Sequence, residues 1–362
     1  MSALNQAYAA IDLETANKPE MELMRAKARG LMAGYHLRWQ FQEYTAISVE
    51  ETITADLYNP TTGARSRTFM LGGKMDVRGE LNGQSVVIDH KTTSDDIADP
   101  NGTYWRQLII ESQLSHYLLL EWLNGRKPDN AMWDVIRKPS ISPRQLTKAE
   151  QKEITFDKKW FGVQLSDEQI AEAMSTGRET MDLYEYRLAH DCTIERPDRY
   201  FQRRTIPRLD SEIFEYAGEV WDHGQDMIIA RRENRNPRNS GSCMAYGTPC
   251  QFLGVCSGYD NIDSDKWQRS AWVHPELVQI EGTNGSELLT NSRIRTWQTC
   301  RRKHFYQYDK GIERTEDRDS LIFGNLMHVA LAAWWECFIP NKEEAHVNAS
   351  SVEAIAVSDA RT

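Results

Sequence analysis

Long apolar runs are missing from this sequence, which contains no stretch of eighteen or more apolar residues of the kind that spans a bilayer. The first residues carry no basic stretch followed by an apolar one, so we predict no secretory signal and a cytoplasmic location. Internal repeats and low-complexity tracts are also missing. These absences argue against membrane, secreted and repeat proteins. The length of 362 residues is enough for one large domain or two small ones.

An excess of positive charge is missing as well. The 43 Lys and Arg residues are outnumbered by 53 Asp and Glu residues, which gives a net charge of −10. A protein that coats nucleic acid without sequence preference would be basic, so the net charge argues against a nucleic-acid coat protein. A nuclease is not excluded, because its carboxylates hold metal and its basic residues are needed only along the substrate path.

Cysteine is scarce, and in a cytoplasmic chain of this length we expect no disulfides. Cys243, Cys250 and Cys256 nevertheless fall within fourteen residues, at spacings that do not match the C-x2-C of a zinc knuckle. Thiolates gathered in one loop bind Zn²⁺ or an iron–sulfur cluster. The fourth ligand would be Cys300, Cys192 or a histidine. Cys192 and Cys337 fit no ligand pattern, and we predict that both are ordinary buried cysteines.

The hydrophobic pattern predicts an α/β fold with three regions. Helices are predicted over 5–45, 103–124, most of 145–190 and 211–235, and strands over 46–58, 67–79, 84–92 and 135–139. The first region, 1–259, contains these elements and the cysteine-rich loop 243–256. A polar linker is predicted over 260–290. An amphipathic segment then begins near 291, and the last region is 291–362, ending in a tail of weak helical character.

Two carboxylates and a lysine lie near the ends of the two predicted hairpin strands. Asp89 and Lys91 are two residues apart, so in a strand both side chains project to one face, and a hairpin can bring Asp76 beside them. Mg²⁺ prefers oxygen ligands, and a lysine can orient water or stabilise charge in a transition state. An isolated D-x-K is most often a solvated pair at the end of a strand. Here the buried-looking Val86–Asp89 precedes the charges, which favours a site.

The sequence around this pair resembles a known family. G-G-K-M-D at 72–76, followed by V-V-I-D-H-K-T at 86–92, resembles the RecB-like branch of the PD-(D/E)XK nucleases. Members carry a Q-x-x-x-Y motif on the next helix, and Gln113 and Tyr117 match it. The resemblance implies a restriction-endonuclease-like core, a central mixed β-sheet flanked by helices. It also implies that Gln113 and Tyr117 shape the active site and contact DNA, although packing on a helix face is the alternative for both.

The C-terminal segment resembles the motif that opens this domain in AddB-type and CRISPR-associated members. The matching residues are 292–306, with Cys300 before basic and aromatic residues, and 323–328, which ends at His328. The resemblance implies that His328 is a metal ligand, and that Arg301 and Arg302 follow DNA. A buried core histidine and a solvated basic face are the alternatives. It also implies that a [4Fe-4S] cluster joins four cysteines: Cys243, Cys250, Cys256 and Cys300.

The order of the motifs departs from the family. The segment with Cys300 and His328 comes last here, whereas in the family it comes first. A circular permutant would fold this segment back onto its own core, since chain termini often lie close together. A second, truncated domain that completes a site in trans is another explanation, and an artefact of sequence assembly is a third. We favour completion within one chain, because 290–337 contains what 1–260 lacks.

The resemblance implies a Mg²⁺- or Mn²⁺-dependent deoxyribonuclease, expected to be an exonuclease on single-stranded DNA or DNA ends. Its metal would be held by Asp76, Asp89, His328 and the carbonyl of His90. Glu50 is a further carboxylate that is equally expected to be exposed. The rivals are a catalytically weak DNA-binding protein with a nuclease-like fold, and a zinc-binding interaction module. Such cores serve repair, recombination, spacer acquisition and phage genome processing, and a helicase or recombination partner fits that range.

Overall fold

The computed structural model describes residues 18–270, 274, 277, 286–315 and 319–340. The fold is α/β, with a central mixed sheet flanked by helices, which confirms the predicted class. The parts of the predicted first helix before residue 18 and of the predicted tail after residue 340 lie outside the described residues. No helix within the described ranges combines the length and the apolar character that crossing a membrane requires.

The elements follow one another in an order that places most strands before most helices. The helices are α1 (Lys18–Trp39), α2 (Thr103–Ile109), α3 (Ser112–Leu123), α4 (Lys148–Asp157), α5 (Asp167–Thr176), α6 (Met181–His190), α7 (Pro197–Tyr200), α8 (Asp210–Arg232), α9 (Leu253–Ser257), α10 (Asn291–Thr299), α11 (Arg301–His304) and α12 (Asp319–Glu336). The strands are β1 (Tyr44–Tyr58), β2 (Arg65–Leu81), β3 (Gln84–Thr93), β4 (Asn130–Arg137), β5 (Lys159–Trp160), β6 (Val163–Gln164), β7 (Phe201–Ile206), β8 (Trp267–Arg269), β9 (Glu287–Leu289) and β10 (Ile312–Arg314). Short π-helical stretches cover Asp191–Glu195 and Phe305–Asp309.

The central sheet has the order β1-β2-β3-β4-β7, and β9 pairs with β2. Strands β1, β2 and β3 form an antiparallel meander, β3 and β4 are parallel, and β7 is antiparallel to β4. The turn between β2 and β3 consists of Asn82 and Gly83, both at positive φ. Such a two-residue turn matches the twist of the strands it joins, so it fixes their register.

Helices cover both faces of this sheet, and each face has its own hydrophobic core. The first core lies under α3 and α8 and includes Trp133 and Leu120. The second lies under α1 and α12 and includes Tyr35, Ile88 and Trp335. Because β3 contributes to both cores, its backbone is held from both sides, and the ends of its pairing with β2 are well defined.

The C-terminal segment joins the core sheet. Strand β9 runs parallel to β2 over Phe69–Leu71, and the apolar side of α12 lies in the second core with α1. A partly buried ion-pair network fastens the same segment to α8. In it, Glu287 accepts hydrogen bonds from Arg231 at 2.6 Å and from Arg293 at 2.6 Å. Two strands fall within the predicted linker 260–290, since β8 and β9 lie there.

Two predicted elements differ from the structure, and a third element was not predicted. The single helix expected over 103–124 is broken at Ile110 and Glu111, where the backbone of Glu111 is extended. The break is compensated because the Arg208 guanidinium binds the carbonyl of Ile109 at 2.6 Å. Strand β4 begins at Asn130 and not at 135. Strand β7 was not predicted, because its central residues 202–204 are Gln, Arg and Arg and show no apolar alternation.

Candidate active site

The site lies at a fork where β3 separates from β2. The antiparallel pairing ends at Val77 and Ile88, so the next residues, Asp76 and Asp89, lie where the two strands diverge. The Asp76 carboxylate accepts a hydrogen bond from the backbone N–H of His90 at 2.6 Å. The Asp76 side chain therefore takes the place of the backbone hydrogen bond that β2 no longer forms with β3. Both carboxylates are buried, since Asp76 is 8% exposed and Asp89 is 1% exposed.

Asp89, Lys91 and Gln113 form a closed triangle of one ion pair and two hydrogen bonds. The Lys91 Nζ lies 2.6 Å from Asp89 Oδ2, and the Gln113 amide donates to Asp89 Oδ1 at 2.7 Å. The Lys91 ammonium also donates to Gln113 Oε1 at 2.7 Å. Each member thus fixes the other two. Lys91 remains 29% exposed, so its ammonium is reachable from outside while its partner carboxylate is not.

Tyr117 connects this triangle to β2. Its hydroxyl donates to the carbonyl of Lys74 at 2.7 Å and accepts from the Gln113 amide at 3.0 Å. The close approach of α3 to the strand depends on Gly73, because a Cβ there would lie 2.9 Å from a Leu120 methyl carbon and 3.1 Å from the Tyr117 ring. Burial and the nearby carboxylates raise the pKa of Tyr117 well above its usual value, so the phenol stays protonated.

His328 reaches the same fork from α12. Its Nδ1 lies 3.5 Å from Asp76 Oδ1. One ligand atom each from Glu50, Asp76 and His328 lie within 4.8 Å of one another, and no other such trio occurs in the described part of the chain. The Glu50 carboxylate is also 2.5 Å from the Lys74 ammonium. Glu50 has a φ of 53°, which is uncommon for a non-glycine residue and marks a position under constraint.

The two carboxylates differ in their proton affinity. Burial by itself raises the pKa of Asp76, but the hydrogen bond and charge of His328, with the N–H of His90, outweigh it and lower the pKa to about 2. Burial raises the pKa of Asp89 to about 6, because the opposing Lys91 only partly compensates. The pKa of His328 is raised, since Asp76 and Asp89 outweigh its burial. Asp76 therefore stays ionised at a lower pH than Asp89 does.

The side chain of His90 belongs to the other face of the sheet. Its Nδ1 lies 3.3 Å from the Asp134 carboxylate, which also binds Arg203 at 3.1 Å and Tyr35. Arg203 in turn lies over the Trp39 ring, 4.3 Å from its centroid. The buried polar network behind the fork therefore holds β3, β4 and β7 together. The role predicted for the His90 carbonyl as a ligand stays a prediction.

Sequence reasoning missed three residues around the fork. Lys74 lies in the G-G-K-M-D block at 72–76, two residues before Asp76. In a strand this spacing puts both side chains on one face, and that was the signal that could have identified Lys74. Asp134 and Arg203 carried no signal, because one is a lone acid in an apolar strand and the other comes from the unpredicted β7. Only the pairing of β4 with β7 brings them together.

The four candidate cluster cysteines lie near one another. The backbone of Asn239 connects two of them, because its N–H donates to Cys300 Sγ at 3.4 Å and its carbonyl accepts from the Cys243 thiol at 3.6 Å. Burial raises the pKa of the Cys256 thiol, and the other three thiols raise it further. All four are partly buried. The structure thus brings Cys300 to the loop that contains Cys243, Cys250 and Cys256.

The two arginines predicted to follow DNA have protein partners. Arg301 pairs with Asp226 at 3.0 Å and lies over the Trp297 ring, with 42% of its side chain exposed. Arg302 donates to the carbonyl of Asn236 at 2.6 Å and lies close enough to Cys256 to lower the pKa of that thiol. Their contact with DNA stays a prediction.

The donor set at the fork suits a hard divalent cation. Two carboxylates and one imidazole nitrogen from Glu50, Asp76 and His328 converge there, and oxygen-rich sites of this kind bind Mg²⁺ or Mn²⁺. Beside them lie a buried carboxylate and a partly exposed ammonium, Asp89 and Lys91. Such an arrangement can polarise a bound oxyanion and orient water.

The fold and the site together define an α/β protein with a carboxylate–lysine centre in a forked sheet. Residues 289–360 match the family model of the PD-(D/E)XK nuclease superfamily. The matched segment includes Cys300 and His328 but not the carboxylates of β2 and β3. No curated protein and no solved structure matches the chain. The family match indicates a nuclease-type hydrolase.

Proposed function

We propose that the chain is a metal-dependent deoxyribonuclease, and the contact between Asp89 and Lys91 beside the Asp76–His328 pair carries this proposal. Three features support it together: two buried carboxylates at a strand fork, a lysine anchored on one of them, and a histidine that arrives from another helix. The family match at 289–360 covers the segment that supplies this histidine.

In this proposal Glu50, Asp76 and His328 hold Mg²⁺ or Mn²⁺, and Asp89 joins them from the neighbouring strand. A cation held there would supply the chemistry that phosphodiester hydrolysis needs, polarisation of a phosphoryl oxygen and a lower pKa for a bound water molecule. The sequence leaves Glu50 open as a further metal ligand or an exposed residue, and its proximity to Asp76 and His328 favours the first. His90 contributes through its N–H, which orients Asp76.

The chain's own groups then have distinct tasks. Lys91 places a positive charge next to the reacting phosphate and orients the attacking water. Gln113 keeps both Lys91 and Asp89 in position, since its amide bonds to each. Tyr117 fixes Gln113 and is itself fixed by the carbonyl of Lys74. Because these contacts exist in the free protein, little reorganisation is needed when substrate binds.

We further propose that the four cysteines hold a [4Fe-4S] cluster of structural role. The proximity of Cys300 to the loop that contains Cys243, Cys250 and Cys256 supports this proposal. The cluster would join Cys300 to the loop that follows α8.

The substrate in this proposal is single-stranded DNA or a DNA end, and the action is exonucleolytic. The resemblance of the motifs to the RecB-like branch supports this finer assignment. The half-exposed Arg301 and the site residue Tyr117 are proposed to contact the DNA, whereas Arg302 is proposed to act mainly beside the cluster. A helicase or recombination partner stays a prediction.

Hydrolysis of labelled oligonucleotides with Mg²⁺ or Mn²⁺ tests the proposal. We expect Lys91→Ala and Asp89→Asn to reduce the rate by at least about a hundredfold, because each removes a group that acts on the reacting phosphate or its metal. Lys127→Ala is the matched control, since Lys127 forms an exposed pair with Asp210 at 2.6 Å and is not at the fork.

Equal rates for wild type and both site variants would refute the assignment of the site. Binding of DNA without any metal-dependent hydrolysis by the wild type would instead favour the rival, a DNA-binding protein with a nuclease-like fold.

A further inference from the structure

Two exposed isoleucines lie beside the active site. Ile109, the last residue of α2, is 52% exposed, and Ile110, the first residue of the break between α2 and α3, is 83% exposed. Isolated exposed apolar residues are ordinary, but two adjacent branched side chains on one projecting corner form a small apolar ledge. We call these two residues the isoleucine ledge.

The ledge is braced by the protein below it. The Arg208 guanidinium donates to the carbonyl of Ile109 at 2.6 Å and to that of Glu111 at 3.3 Å, and its Nε donates to the Ser115 hydroxyl at 3.0 Å. One side chain therefore satisfies the carbonyls that the helix break releases on both sides of Ile110. The corner is built to hold its shape with the two isoleucines directed outward.

The ledge is adjacent to the catalytic residues. Ile110 precedes Gln113 by three residues, and Gln113 contacts Asp89 and Lys91 directly. Three residues span at most about 11 Å, which is the length of some three stacked nucleotides at about 3.4 Å each. The ledge therefore lies within the length of a few nucleotides of the contact between Gln113 and Lys91.

The surroundings of the ledge carry positive charge that fits a phosphate backbone. Arg106 is exposed in the last turn of α2, and it forms no ion pair with the residues that the structure describes. On the other side, Arg295 of α10 pairs with Glu111 at 2.9 Å and keeps 55% of its side chain exposed.

On these grounds we propose that the isoleucine ledge contacts the unpaired bases of a single DNA strand next to the scissile phosphate, with Arg106 on a neighbouring phosphate. Apolar side chains can occupy the space between bases that have lost their stacking, and a duplex end must fray to reach such a surface. The ledge would therefore select single strands and frayed ends over intact duplex. The inference rests on the proposed nuclease function, and it adds a binding surface to it.

Binding to labelled single strands, measured by fluorescence anisotropy without divalent cation, tests the ledge apart from catalysis. The two probes are an oligothymidylate and the same strand with a central run of abasic nucleotides. We expect the variant Ile109→Ser/Ile110→Ser to bind the intact strand about tenfold more weakly than wild type does, on the scale of one base contact. Both proteins should bind the abasic strand equally, because its bases are missing.

Ile194→Ser is the matched control, since Ile194 is 70% exposed on the π-helical stretch Asp191–Glu195, which contributes no residue to the site at the fork. Unchanged binding of the intact strand by the ledge variant would overturn the inference. An equal loss on both strands would also overturn it, as would a change of oligomeric state with DNA binding intact, which would make the ledge a protein interface. Hydrolysis without ledge dependence would reject the ledge alone, and ledge-dependent binding without hydrolysis would reject the nuclease alone.

Discussion

Asp76 and Asp89 lie side by side in the fork, yet their surroundings give them opposite proton affinities. His328 and a backbone N–H stabilise the anion of Asp76, whereas Asp89 is more deeply buried and has Lys91 as its main cation. The pKa values of neighbouring carboxylates separate in this way when the two groups share a low-dielectric site. The pair can thus keep one permanent anion and one group whose charge depends on Lys91 and on a bound cation.

His116 illustrates how a residue outside the fork supports it. Its two ring nitrogens lie 3.0 Å from the Tyr216 hydroxyl and 3.0 Å from the carbonyl of Gly72, so it connects α3, α8 and β2. The ring is fully buried, and this burial lowers the pKa of His116 to about 4. It is therefore neutral in the folded protein throughout the physiological range.

A pH dependence of stability follows from His116. The unfolded chain takes up the proton near the ordinary pKa of 6.5, and the folded chain only near 4, so stability is lost as pH falls through this window. We expect the free energy of unfolding of wild type to fall by roughly 2–3 kcal/mol more than that of His116→Gln between pH 7 and pH 4. Urea unfolding at several pH values measures this, and parallel curves would contradict it.

At the scale of elements, the fork depends on how closely α3 approaches β2. The contact is possible because Gly73 has no side chain, and Tyr117 and Leu120 occupy the space that a Cβ would need. The same contact sets the position of the Tyr117 hydroxyl on the carbonyl of Lys74. A change in this spacing would reach Asp89 and Lys91 through Gln113.

We predict that Gly73→Val displaces α3 and reduces the rate of hydrolysis by at least about tenfold, because small misplacements of positioning groups are costly. It should also reduce the free energy of unfolding by about 1–3 kcal/mol through overpacking. Gly218→Ala, in the middle of α8, is the control. The nearest atom to its new Cβ is 3.8 Å away, so it should leave the rate unchanged. A Gly73→Val enzyme with wild-type activity would contradict the prediction.

At the scale of the whole molecule, the central question is which core the C-terminal segment completes. Strand β9 pairs with β2, α12 lies in the second core, and His328 lies 3.5 Å from Asp76 in one chain. The ion pairs of Glu287 with Arg231 and Arg293 fasten the segment further. These contacts support the proposal that one chain builds the whole site, as a circular permutant would.

Mixing two inactive variants separates the two explanations. If each chain completes its own site, a mixture of Asp89→Asn and His328→Ala should stay as inactive as either protein alone. If the segment completes a neighbouring chain, exchange would bring an intact Asp89 and an intact His328 together in part of the assemblies and restore activity. Co-refolding the two proteins before the assay ensures that exchange has had the chance to occur.

The sequence by itself determined the local parts of this protein. The apolar alternation predicted β1, β2 and β3, and the D-x-K spacing placed Asp89 and Lys91 on one side of a strand because side chains alternate with a period of two. The helix with Gln113 and Tyr117 was predicted as well, although its break at Ile110 was not. That break depends on Arg208, which is distant in sequence.

The tertiary structure decided everything that depends on distance along the chain. It placed His328 and Glu50 beside Asp76, brought Cys300 to the cysteine loop, and buried Asp134 against Arg203. No local pattern encodes such contacts, because they arise when strands from separate parts of the chain share one sheet and helices cover its two faces. The sequence therefore identified most residues of the site by their chemical type, and the fold determined how they are arranged in space.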